Sequence, residues 1–126
     1  MQFRLFLESQ ESMRDFIMQA AQGACQVTPS MNCRLFVQLT TQDPEIDNYP
    51  EVPREKLKVG DVLVWGRQDG DYFQWGHYAI YLGGDEILEV PAWNQEMRVS
   101  KFTFPKSLSI RGYGRPAKIV RPNWKL

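Results

Sequence analysis

Residues 59–90 constrain this chain more than any other stretch. They read Val-Gly-Asp-Val-Leu-Val-Trp, a polar loop, then Trp-Gly-His-Tyr-Ala-Ile-Tyr-Leu-Gly-Gly-Asp-Glu-Ile-Leu-Glu-Val, and they hold the single histidine, His77. The short apolar run 62–65 follows the turn signal Gly60-Asp61, which predicts a buried strand. Residues 78–82 are aromatic and branched and stop at Gly83-Gly84, which predicts a second strand. Residues 87–90 predict a third. Gly83 and Gly84 reach positive φ without steric cost, as a hairpin turn requires.

Parity across that hairpin has a chemical consequence. Side chains alternate along a strand, so His77, Ala79 and Tyr81 share one face. A two-residue loop would bring Leu88 and Val90 to that face and turn Glu89 away. A three-residue loop, 83–85, pairs Leu82 with Glu86 and Ala79 with Glu89. Glu89 then lies diagonal to His77 at roughly 7–8 Å between backbones, and the small Ala79 leaves room for its carboxylate to lean over. A carboxylate that orients an imidazole is the third member of a nucleophile–base–orienter set, so a nucleophile is expected elsewhere.

The chain has 126 residues, enough for one domain, 1–126, with one core. Hydrophobic residues make up 43% and aromatic residues 13%, too many for a disordered chain. No apolar run approaches the ~20 residues of a membrane span. Net charge is zero, so no bulk attraction to nucleic acid is expected. Charge is unevenly spread. The last 30 residues carry eight Lys or Arg and no acid, whereas residues 43–55 carry five acids and one Arg. These read as two solvated faces or as a dipolar surface whose basic side meets an anionic polymer. The N-terminal sequence lacks a secretory signal pattern, so the expectation is a cytosolic protein or one exported by another route. Cys25 and Cys33 are too few for a disulfide framework and are expected as free thiols.

Along the chain, residues 3–7 alternate weakly and predict an edge strand or extended arm. Met13, Phe16, Ile17, Ala20 and Ala21 follow a helical period, which predicts an amphipathic helix over 12–22, capped at Ser9 or Ser12 and ending at Gly23. Leu35, Phe36 and Leu39 fit a second helix after Cys33, capped by Ser30 or Asn32. Cys33 then lies in the first turn, where the positive end of the helix dipole favours a thiolate. The bland alternative is a small buried hydrophobe. Residues 40–58, with three prolines and many acids, predict an irregular connector. Residues 66–74 read as a polar loop with aromatics. Residues 97–104, 110–113 and 117–120 predict further short strands. Helices followed by strands imply α+β: N-terminal helices packed on a small antiparallel sheet or half-barrel.

At three points the residues resemble a known family. Cys33-Arg-Leu-Phe-Val-Gln resembles the Cys-Ser-Gly-Leu-Val-Gln helix start of the NlpC-type papain-like cysteine peptidases. Leu57-Lys-Val-Gly-Asp-Val-Leu-Val-Trp resembles their Leu-Lys-Pro-Gly-Asp-Leu-Val-Phe-Phe strand, and His77-Tyr-Ala-Ile-Tyr-Leu-Gly their His-Val-Gly-Ile-Tyr-Leu-Gly strand. The family's third polar residue lies twelve positions past the histidine, which is Glu89, the position that hairpin parity also selects. The related CHAP amidases use an acid there. The sequence departs from the pattern before and after the cysteine, with Asn32 for Asp and Arg34-Leu35 for Ser-Gly, and the family's Tyr-x-Trp-Gly-Gly segment upstream is absent.

The resemblance implies a papain-like fold and a cysteine hydrolase acting on amide bonds, with peptide or peptidoglycan stem peptides as the usual substrate. It places the nucleophile at Cys33, the base at His77 and the orienting group at Glu89. The Cys33 backbone N–H, unpaired at a helix start, is the expected oxyanion donor. Trp75, Trp93 and Asn32 are candidates to line the substrate cleft. One histidine and two separated cysteines give no metal-ligand spacing, so no metal or cofactor is expected. Monomeric behaviour is expected. The competing readings are a deamidase or acyltransferase on another target, and a binding module of the same fold that uses tryptophans as a platform.

Overall fold

A computed structural model describes residues 2–27, 32–69, 72–90, 96–102 and 118–124, with the side chains of 2–10, 27, 47, 67–69 and 72–75 outside that description. Within it, helices α1 (Gln2–Val27) and α2 (Cys33–Thr41) precede strands β1 (Val62–Asp69), β2 (Tyr72–Gly83), β3 (Glu86–Glu89), β4 (Arg98–Lys101) and β5 (Lys118–Val120). The strands form one antiparallel sheet in the order β4-β3-β2-β1-β5. This is the α+β architecture expected from helices followed by strands.

Strict alternation explains why the central strands are apolar on consecutive positions. Val62, Val64, Tyr78, Ile80, Leu82, Leu88, Val90 and Val120 pack under the helices with Ile17, Ala21, Phe36 and Val37. Leu63, Trp65, Ala79, Ile87 and Ile119 form a second cluster with Phe102 on the other face. A sheet buried on both faces loses the polar half of its pattern. Phe36 is fully buried where α2 meets the sheet, and truncating it to Ala would cost roughly 3–5 kcal/mol.

Three local expectations are corrected. Residues 3–7 are neither strand nor arm, because α1 begins at Gln2, and Ser9 and Ser12 lie inside the helix rather than at its cap. The helix also passes through Gly23 to Val27. A mid-helix glycine costs only about 1 kcal/mol, which the packing of Ile17, Ala21 and Ala24 offsets. The polar stretch 66–74 is mostly ladder, with Gly66 to Asp69 pairing against Trp75 to Tyr72 across a bulge at Trp65/Gly66.

The hairpin turn combines the two loop lengths. Gly84 (φ 57°) and Asp85 (φ 59°) form a two-residue turn with both central residues left-handed, the type I′ pattern whose twist suits a hairpin. A bulge between Tyr81 and Gly83 then shifts the register, so that Tyr81 faces Ile87 and Ile80 faces Leu88. That is the register of the three-residue loop. The bulge depends on Gly83 at φ 80°, where an added Cβ would also meet Val59 at 3.0 Å.

The connector after α2 holds short 3-10 turns at Ile46–Asn48 and Arg54–Lys56. Thr40 and Thr41, expected in the connector, belong to the end of α2. Residues 110–113 lie outside the described residues. Among the described residues, no helix is long and apolar enough to cross a membrane.

Candidate active site

Asn32 starts α2. Its side-chain oxygen accepts the Leu35 N–H at 2.8 Å and its carbonyl accepts the Phe36 N–H at 3.0 Å, a standard N-cap that places Cys33 at the first helical position. Asn32 is exposed, and its amide oxygen is engaged in the cap. Ser30, the other cap candidate, lies outside the described residues.

The thiol of Cys33 sits at the edge of β2 rather than over either face of the sheet. Tyr81 exchanges backbone hydrogen bonds with Gly60 and Asp61, so odd residues of β2 direct their backbone groups towards β1 and even ones towards β3. The β2–β3 ladder extends only to Ile80↔Leu88. Beyond it, the Tyr78 N–H reaches the Cys33 sulfur, and the sulfur lies 3.9 Å from the Gly76 carbonyl. Gly76 is the residue bulged out between His77 and Trp75. Cys33 thus occupies a position left open where β3 ends, close enough to the imidazole of His77 for each group to shift the other's titration.

His77 and Glu89 meet across the hairpin. His77 Nε2 lies 2.7 Å from Glu89 Oε1, and the two side chains are 3% and 0% exposed. Nε2 is thereby occupied, which leaves Nδ1 as the ring nitrogen free of the carboxylate. Trp65 lies against the imidazole with ring centroids 5.4 Å apart, and Phe102 meets Trp65 edge-on at 5.8 Å. Glu89 Oε2 accepts the Ser100 hydroxyl at 2.7 Å, and Arg98 Nε donates to Ser100 Oγ at 3.0 Å while lying 3.6 Å from the same carboxylate oxygen.

The electrostatics of the two partners run in opposite directions. Burial pushes the Cys33 thiol up. The hydrogen bond and charge of His77, with the N–H groups of Tyr78 and Arg34, more than reverse this and hold it below its ordinary value. Burial pushes the His77 imidazole down. The hydrogen bonds and charges of Cys33 and Glu89 outweigh that and hold it above its ordinary value. Both shifts favour a thiolate beside an imidazolium. Cys25, a free thiol in α1, is instead pushed up by burial alone.

Trp75 lies on β2 opposite Gly66, with its side chain outside the description, and Trp93 lies outside the described residues. Among the described side chains the aromatic ring against His77 is Trp65, which parity could have found because it is the direct β1 partner of His77. Arg34 also enters the site's surroundings. Its guanidinium donates to the Tyr78 hydroxyl at 2.9 Å and sits 5.7 Å from the centre of that ring, which fills the place of the family's small residue after the cysteine with a long cation.

Comparison with solved structures finds an NlpC/P60 family protein from Bacillus cereus ATCC 10987, at a TM-score of 0.55 and 19% sequence identity over 73% of this chain. The chain has the fold of an NlpC/P60 protein. It spans about a third of its neighbour's length, the match covering 32% of that protein. No protein-family model and no curated protein matches the sequence.

Proposed function

We propose that this chain is a cysteine hydrolase that cleaves an amide bond, with peptidoglycan stem peptides as the first substrate class to test. One observation carries the reading: a helix-start thiol stands beside the only imidazole in the chain, and that imidazole is hydrogen-bonded to a fully buried carboxylate. Cys33 as thiolate attacks the carbonyl carbon. His77 as imidazolium gives its proton to the leaving amine, and then takes one from the water that cleaves the thioester. Glu89 holds the ring orientation and balances the imidazolium charge. The Cys33 backbone N–H, without a helical acceptor, is available to the oxyanion.

The cell-wall substrate class rests on the resemblance of the three motifs and on the shared fold. Arg34 and Asn32 stand where the family carries smaller or acidic residues, so deamidation or acyl transfer on another target remains the second reading. Incubating peptidoglycan fragments with the protein and with Cys33→Ala, and comparing products by mass spectrometry, separates the two. New amine and carboxylate termini made only by the unaltered chain support stem-peptide hydrolysis. A Cys33 thiol that reacts with iodoacetamide no faster than an ordinary thiol at pH 6–7 removes the enzyme reading altogether, because a binding module has no use for a thiolate.

A further inference from the structure

The buried carboxylate is gripped from two sides, and only one grip belongs to the catalytic set proposed above. Glu89 presents Oε1 to His77 and Oε2 to Ser100, each at 2.7 Å. Behind Ser100 stands Arg98, which donates to the serine oxygen at 3.0 Å and approaches Oε2 at 3.6 Å. The β3–β4 register makes this possible: Arg98 pairs directly with Glu89 and Ser100 with Ile87, so both polar side chains fall on the carboxylate's face, straight across and diagonally. β4 is one of the two edges of the described sheet, and the Arg98 side chain is 55% exposed, so its charge stands in solvent while its donor reaches inward.

We propose that Arg98 and Ser100 are positioning residues, forming a relay that fixes the Glu89 carboxylate and sets the proton affinity of His77. The proposal rests on the hydrolase reading for its purpose. A hydroxyl donor fixes Oε2, and with it the plane of the carboxylate, so that Oε1 keeps its aim at Nε2. The guanidinium takes up part of the carboxylate charge. A general acid must hold its proton until the leaving group needs it and then release it, and an imidazolium facing an unshared buried carboxylate would hold on too tightly. The charged and titratable groups that face Glu89 include His77 from β2, with Cys33 of α2 behind it, and Arg98 from β4. Removing the Arg98 cation therefore removes the charge that opposes protonation of the imidazole.

The test reads the imidazole directly. His77 is the only histidine, so one pair of ring signals follows its titration by NMR. The measurement uses the full chain carrying Cys33→Ala, which leaves the midpoint to His77 and its carboxylate without a coupled thiol. Arg98→Met should raise the midpoint by a few tenths of a pH unit, and high salt should shrink that difference because the guanidinium is half in solvent. Arg98→Lys should return it most of the way. Ser100→Ala should also raise it, since a carboxylate deprived of one donor leans harder on the other, and Ser100→Thr should restore it. In a Glu89→Gln background Ser100→Ala should no longer move the midpoint, and Arg98→Met should move it less than in the presence of the carboxylate. A midpoint that stays in place or falls in either Arg98→Met or Ser100→Ala overturns the relay. Failure of the hydrolase reading shows in a different measurement, as an unreactive Cys33 thiol in the otherwise unaltered chain.

Discussion

Among the described residues two carboxylates are buried, Asp61 at 1% and Glu89 at 0% exposure, and their nearest basic partners differ in kind. Asp61 accepts Arg121 Nε at 2.7 Å and Nη2 at 3.0 Å, and also the Lys58 N–H at 3.0 Å. The guanidinium, which Asp61 holds still more firmly in its charged form, exchanges no proton near neutral pH. That clasp joins the entrance to β1 to the segment after β5, and the Trp124 indole reinforces the same corner by donating to the Gly60 carbonyl at 2.8 Å. Glu89 instead faces an imidazole, which can exchange its proton. A buried carboxylate on a permanent cation fastens structure, whereas one on a titratable partner is equipped for chemistry.

Breaking the fixed pair should have the largest effect. Arg121→Met leaves Asp61 buried without its cation. The cost should be roughly 3 kcal/mol, the low end for a buried pair because Arg121 is itself 35% exposed. Urea unfolding measures it. The rate of Cys33 alkylation per folded molecule should not change, since the clasp touches none of the site. A loss of thiol reactivity together with stability would erase the distinction between the two carboxylates.

Glu89→Gln should give the reverse pattern. The amide oxygen can still accept from a neutral His77 while its NH2 group donates to the Ser100 hydroxyl oxygen, so unfolding should shift little. Turnover, or Cys33 alkylation at neutral pH in its place, should fall by about 10². The direction on both partners follows from the causes of their shifts. Without the carboxylate the imidazole titrates lower, and without a firm imidazolium the thiol titrates higher. The fall should be smaller than for Cys33→Ala, which removes the nucleophile.

The His77–Glu89 contact was legible because it depends only on strand alternation and loop length, both readable in 32 consecutive residues, 59–90. The turn itself was harder: Gly83-Gly84-Asp85 serves either a three-residue loop or a type I′ turn plus bulge, and the two share a register. The cap at Asn32 and the position of Cys33 followed from local capping chemistry. Arg98 and Ser100 were not legible, because their alignment on Glu89 is set by a β3–β4 register that residues 91–95 do not reveal in sequence. Trp65 is harder to see than Trp75 and Trp93 because it is remote from His77 in sequence and reaches it only through cross-strand pairing. The start of α1 is ambiguous in sequence because Phe3, Leu5 and Leu7 alternate, while Phe3, Phe6 and Leu7 equally suit a helix.

A pH profile sharpens the comparison further. The Cys33 thiol titrates below its ordinary 9.0, so the thiolate persists as pH falls until that lowered value is passed. The His77 imidazole titrates above its ordinary 6.5, so the imidazolium persists as pH rises until that raised value is passed. Activity should therefore follow a bell with its acid limb below 9.0 and its alkaline limb above 6.5, centred where both ions coexist. Glu89→Gln should bring the limbs together, whereas Arg121→Met should leave both in place. Cys25, whose thiol burial pushes up, should be alkylated slowly throughout. Peptide mapping of the labelled cysteines distinguishes the two sites.

The smallest effect should come from Glu86, three residues before Glu89 on the same strand. An odd separation puts the two on opposite faces, and Glu86 accordingly meets Arg14 of α1 at 2.9 Å on the helix side. Both partners are partly in solvent, at 36% and 26% exposure, where such a pair contributes about 0–1 kcal/mol. Glu86→Gln should lower stability by no more than that, and less in high salt. It should leave the Cys33 alkylation profile unchanged, although it alters the same type of side chain on the same strand. If Glu86→Gln and Glu89→Gln depressed alkylation alike, the site would be responding to the net charge of β3 rather than to one carboxylate aimed at one imidazole. Parity across the hairpin predicts that they differ.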